Sequence, residues 1–141
     1  MIIDANVLLY AVDDTARHHR LAAAFLREHL NGDRRVGLPW QSLGAFLRIS
    51  THPRIMGTPL TASAAAGFVD DWVNAPAAWV PEVTLSTWAI LREIVDRDAV
   101  TGNLVPDAQL AALAVQYGVP VVSGDSDFAR FRGVDWLNPF A

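Results

Sequence analysis

At 141 residues, 52% of them hydrophobic, the chain has the length of one domain, spanning 1–141, and the apolar content to core it. It has no cysteine, which excludes disulfides, thiolate zinc sites and a cysteine nucleophile. The net charge of −4 argues against a broad polyanion-binding surface. All 11 basic residues are arginine, so there is no lysine for a P-loop, a Schiff base or a phosphoaspartyl site.

Taken in order, Met1-Ile2-Ile3 predicts a short buried strand that opens at once onto Asp4-Ala5-Asn6. Val7 to Val12 stays apolar. Asp13-Asp14-Thr15 then caps a helix expected over about 15–30, with Leu21, Phe25, Ala22 and Leu26 as its buried stripe and Gly32 past its end. Arg34 to Leu38 reads as a second strand, and Pro39-Trp40 opens a helix over about 40–50 that turns Leu43, Phe46 and Leu47 inward. Thr61 caps an alanine-rich helix reaching Trp72 or Val73, and Trp79-Val80-Pro81 is a weak strand. Thr84 or Ser86 starts a helix carrying Trp88, Leu91, Ile94 and Val95, and Asp96 to Asn103 reads as a loop. Pro106 and Asp107 begin the clearest helix, with Leu110, Leu113, Ala114 and Tyr117 on one side and Gly118 as its stop. Val119 to Ser123 is again a strand opening onto acids, Gly124-Asp125-Ser126-Asp127; a short helical turn near Phe128–Phe131 and a strand at Val134–Leu137 close the chain.

Alternation of strands and helices predicts an α/β fold, a three-layer α/β/α sandwich around a central parallel sheet. In such sheets ligands bind outside the carboxyl ends of the strands, where Asp4 and Asp125 fall and which Asp107 can reach from its helix. Each acid has an ordinary reading: a turn at Asp4, a helix-dipole contact at Asp107, a cap at Asp125 or Asp127. Converging carboxylates, by contrast, would repel by about 4 kcal/mol per close pair at an effective dielectric of 20. A hard cation such as Mg²⁺ or Mn²⁺ relieves that repulsion and suits phosphodiester hydrolysis. The pattern of residues alone leaves both readings open. His18, His19, His29 and His52 form no metal-binding pair and read as surface residues. Arg48, His52 and Arg54, and likewise Arg130 and Arg132, are either solvated surface or a phosphate-binding rim of the crevice. No apolar run approaches the ~20 residues that cross a bilayer, and the N-terminus lacks a basic leader, so the expected location is cytoplasmic.

Met1-Ile2-Ile3-Asp4-Ala5-Asn6, Val105-Pro106-Asp107-Ala108-Gln109-Leu110 and Ser123-Gly124-Asp125-Ser126-Asp127-Phe128 together resemble the PIN domain, and more narrowly the VapC-type toxins of type II toxin–antitoxin systems. Leu38 to Arg48 is similar to a branch common among mycobacterial VapC proteins. The resemblance covers essentially the whole chain. It implies a Mg²⁺- or Mn²⁺-dependent endoribonuclease, usually a homodimer, that cleaves RNA and is held inactive by a VapB-type antitoxin. The carried-over catalytic residues are Asp4, Asp107 and Asp125, with Asp127 as a further metal ligand and Asn6 and Ser42 behind them. Arg48, Arg54 and Arg130 are the candidate RNA contacts. One departure stands out: the family's second-helix glutamate falls near Gly44 or Ala45, and Val36 to Ile55 contains no acid. Glu93, Asp96 and Asp98 are the candidate substitutes. The alternative function is a catalytically weakened PIN scaffold that binds RNA or a protein without cleaving.

Overall fold

The apolar run at the N-terminus forms a strand of only two residues, Ile2–Ile3 (β1), in a computed structural model that describes residues 1–141. The other strands are equally short: Val36–Gly37 (β2), Ala78–Trp79 (β3), Val121–Val122 (β4) and Trp136–Leu137 (β5). They form one sheet in the order β3-β2-β1-β4-β5 with every pair parallel. Chain order runs outward from β1 in one direction and then, after a crossover, in the other. The switch therefore lies between β1 and β4, where Ile2 pairs with Val121 and Ile3 with Val122.

Both faces of the sheet are covered, as a parallel sheet requires. Ile3 and Val122 point into a core shared with Val7, Leu8, Ala22, Leu26, Phe46 and Trp72. Ile2 and Val121 point the other way, into a core with Ile94, Leu110, Ala111 and Phe128. The first face is packed by helices Ala5–Val12 (α1), His19–Leu30 (α2), Trp40–Ser50 (α3) and Ala62–Val73 (α4). The second is packed by Leu85–Asp98 (α5) and Val105–Tyr117 (α6). Thr61 caps α4 by accepting a 3.1 Å hydrogen bond from the Ala64 amide, and Gly118 ends α6 at φ 65°, a conformation that favours glycine.

Several expectations need correction. An unexpected helix, Ala5–Val12, winds up directly after Asp4, and the helix expected over about 15–30 starts only at His19, after a turn. The buried stripe of α2 is Ala22, Leu26 and Leu30, one residue out of phase with Leu21 and Phe25; Leu21 is 53% exposed. Leu47 and Trp88, expected on the buried sides of α3 and α5, are also exposed. α5 continues through Asp98, so the expected loop from Asp96 starts later, and Gly102–Leu104 is a 3₁₀ turn. The histidines, expected at the surface, are partly exposed and none joins a metal-binding group, but each makes a contact. His18 stacks on Phe140, His19 Nδ1 contacts the Tyr10 carbonyl at 2.9 Å, and His29 stacks on Phe25, while His52 Nδ1 accepts from the Arg54 amide at 3.1 Å.

Candidate metal centre at the sheet switch

The end of β1 delivers Asp4 and the end of β4 delivers Ser123, and parallel register sets the two side by side. Ser123 is fully buried and its hydroxyl donates to Asp4 Oδ2 at 2.6 Å. The same oxygen of Asp4 accepts from Asn6 Nδ2 at 3.0 Å, and Asn6 Nδ2 also reaches Ser123 Oγ at 3.0 Å. Ser123 Oγ accepts from the Asp125 amide at 2.9 Å, while Asn6 Oδ1 accepts from the Gly124 amide at 3.2 Å. Asp4 thus precedes α1 without making a side-chain cap; its carboxylate is spent on this network instead. Burial pushes the Asp4 carboxyl above its ordinary value, and the Asp125 charge adds to that, against the Ser123 hydrogen bond that favours the anion.

The acids gather on the open side of this network. Oxygens of Asp107, Asp125 and Asp127 lie within 4.8 Å of one another. Asp107 stands in the first turn of α6, while Asp125 caps the 3₁₀ turn Ser126–Arg130, accepting from the Asp127 amide at 2.8 Å. The cap and the cluster therefore coexist, because a carboxylate has a second oxygen to offer. No cation answers this charge: the two ion pairs of the molecule are Arg92–Asp96 and Arg97–Asp98, both elsewhere. Partial burial, then Asp4, Asp125 and Asp127 in turn, push the Asp107 carboxyl up to about 6. An oxygen-only set with unrelieved negative charge fits a hard divalent cation, and no sulfur or imidazole donor stands among the three.

The other expected site residues are dispersed. Asn6 lies within the network, as above. Ser42 is buried on α3 with a hydroxyl that meets no partner. Arg48, Arg54 and Arg130 are exposed and unpaired. Asp96 and Asp98 are held by arginines, and Glu93 is exposed on α5, so none of the three substitutes joins the cluster. Ser123 was absent from the expected set although it makes three of the bonds that fix Asp4, Asn6 and Asp125. A hydroxyl at the end of an apolar strand, directly before Gly124-Asp125, was the available signal.

A family model described as PIN domain matches residues 1–134. Ribonuclease VapC37 of Mycobacterium tuberculosis is 44% identical over 138 residues, covering 98% of this chain and 96% of that protein. Ribonuclease VapC33 of the same species is 34% identical over 139 residues, covering 99% and 97%. Among solved structures, VapBC2 from Rickettsia felis bound to a DNA fragment from its promoter superposes with a TM-score of 0.72 at 13% identity, covering 97% of this chain and 96% of that one. A toxin–antitoxin complex from Klebsiella pneumoniae gives 0.65 at 14% identity, covering 99% and 97%. With acids at both strand ends of the sheet switch and a family model spanning nearly its whole length, the chain belongs to the PIN-domain family, among the VapC ribonucleases.

Proposed function

We propose that the protein is a divalent-metal-dependent endoribonuclease and the toxin of a toxin–antitoxin pair, with a VapB-type antitoxin as its partner. The observation that carries this reading is the cluster of Asp107, Asp125 and Asp127, which has no cationic side chain to neutralise it. Those three acids, beside Asp4, would hold Mg²⁺ or Mn²⁺. When bound, such an ion lowers the pKa of a coordinated water and offsets charge on a phosphodiester. The chain's own part is to keep that ground negative and rigid. Ser123 and Asn6 hold Asp4 in one orientation, and the Asp125 amide is tied to the same hydroxyl. Exposed Arg48, Arg54 and Arg130 remain the candidate RNA contacts; each would serve as a phosphate clamp. Toxin–antitoxin complexes among the structural relatives support a protein partner for this chain as well.

The expected homodimer has one face suited to it. Trp40, Val83 and Trp88 line an exposed cavity of about 330 Å³ whose nine lining residues include no charged one. The weakened-scaffold reading keeps one observation in its favour, the absence of any acid from Val36 to Ile55. The two are separated by mapping RNA 5′ ends after induced expression of wild type, Asp4→Asn and Asp107→Asn. The nuclease reading expects new ends and growth arrest with wild type only. Arrest without new ends, or arrest by both variants, favours the scaffold.

A further inference from the structure

Phe140 lies outside every helix and strand, yet it packs on the loop that carries two of the clustered acids. A Cβ added to Gly124 would fall 2.9 Å from both Cδ2 and Cε2 of the Phe140 ring and 3.8 Å from Tyr10 Cε2. The ring therefore lies directly on the Gly124 backbone, a contact that only glycine permits. Its other surfaces are also occupied: it stacks on His18 at 4.5 Å with an interplanar angle of 11°, and meets Tyr10 edge-on at 5.5 Å. Tyr10 belongs to α1, the helix that follows Asp4 and holds Asn6. The segment that leads into this contact is itself fixed. Trp136 Nε1 donates to the Ser123 carbonyl and the Phe140 amide donates to Asn138 Oδ1, each at 2.9 Å.

The loop needs such a hold. Asp125 and Asp127 are pushed away from Asp107 by like charge, and the bond that ties Gly124 to Asn6 is the longest of the network at 3.2 Å. An aromatic ring packed on the Gly124 backbone keeps water off that side of the loop and lowers the dielectric around its hydrogen bonds, which strengthens them. We propose that Phe140 is a positioning residue for the acidic site: by clamping Gly124 between its own ring and α1, it holds Asp125 and Asp127 in register with Asp107. This inference rests on the reading of those acids as a metal centre.

The test is a double-mutant cycle read by calorimetric titration of Mn²⁺ into RNA-free protein, with urea midpoints recorded beside it. Phe140→Ala is expected to weaken Mn²⁺ binding about tenfold, the usual loss when a group supporting metal ligands is removed. Gly124→Ala should weaken binding in the wild-type background, because its methyl group displaces the ring or the loop. In the Phe140→Ala background the same methyl enters vacated space, so the further loss should be small. Phe140→Leu, which keeps apolar cover, should bind nearly as wild type, and it runs the same cycle with Gly124→Ala if Phe140→Ala does not fold. A purely structural role would move the urea midpoints and leave Mn²⁺ affinity unchanged; that result, or losses that simply add, overturns the clamp. Wild type that neither binds Mn²⁺ nor cleaves RNA overturns the metal-centre reading and the clamp with it.

Discussion

Ser123→Ala probes the centre of the network more directly than any carboxylate change. The hydroxyl is fully buried; it donates at 2.6 Å to Asp4 and accepts at 3.0 Å from Asn6 and at 2.9 Å from the Asp125 amide. Removing it takes one hydrogen bond from a desolvated carboxylate, a loss of about 1.5–3 kcal/mol, and leaves a neutral amide donor short, about 1 kcal/mol more. Asn6 still serves Asp4, so its own lost bond adds little. The expected destabilisation is about 2.5–4 kcal/mol, a sizeable part of the ~5–15 kcal/mol that holds a domain together. The assay is urea unfolding at pH 7 without metal, repeated at lower pH. Asp4 already has a raised pKa, and loss of the Ser123 bond to its anion raises it further. Wild type and variant should therefore differ most where Asp4 is ionised in both, and the gap should close as pH falls and Asp4 protonates. A loss below about 1 kcal/mol, with no narrowing in acid, would show that the hydroxyl does not support the carboxylate.

The Asp107 carboxyl, pushed up to about 6 from an ordinary 3.8, is favoured in its protonated form by folding. Metal-free stability should accordingly fall as pH rises through that interval, a slope that Asp107→Asn removes in urea titrations; Mn²⁺ affinity should climb over the same range as metal displaces the proton. An unchanged slope in the variant would assign the titration to another group. Gly37→Ala would set a methyl 2.7 Å from Ile2 Cδ1 and 2.9 Å from the Met1 carbonyl oxygen. With no room to yield, the sheet should lose about 2–3 kcal/mol, measurable as a lower urea midpoint. Ala99 ends α5 at φ 51°, so Ala99→Gly should raise stability by about 1 kcal/mol in the same assay, and a neutral result would mean that the strain is relieved elsewhere.

The parallel α/β architecture was legible because Ile2-Ile3 and Val121-Val122 are apolar on both faces, and only a doubly covered sheet accepts such strands. Helix α6 was legible from Pro106, Asp107 and Gly118, residues that mark its ends by their own backbone and charge preferences. The phase of α2 was not. Leu21/Phe25 and Ala22/Leu26 share the same spacing, and the choice between them depends on where the sheet lies. Nor was the role of Ser123, which follows from the pairing of Ile3 with Val122, a register that no local pattern encodes. Acids could be gathered from their strand-end positions, but Asp96 and Asp98 looked available until their arginines were placed beside them.

The order β3-β2-β1-β4-β5 puts the first of the five strands at the centre of the sheet and pairs it with the fourth, β4. Asp4 meets Ser123 only across 119 residues of sequence, and Asp107 meets Asp125 and Asp127 only when β4 has docked. A chain still being translated carries Asp4 early but cannot gather the acidic cluster until the residues through Asp127 have left the ribosome. The topology thus keeps the acidic cluster of a ribonuclease unassembled until the fourth of its five strands has been made and docked.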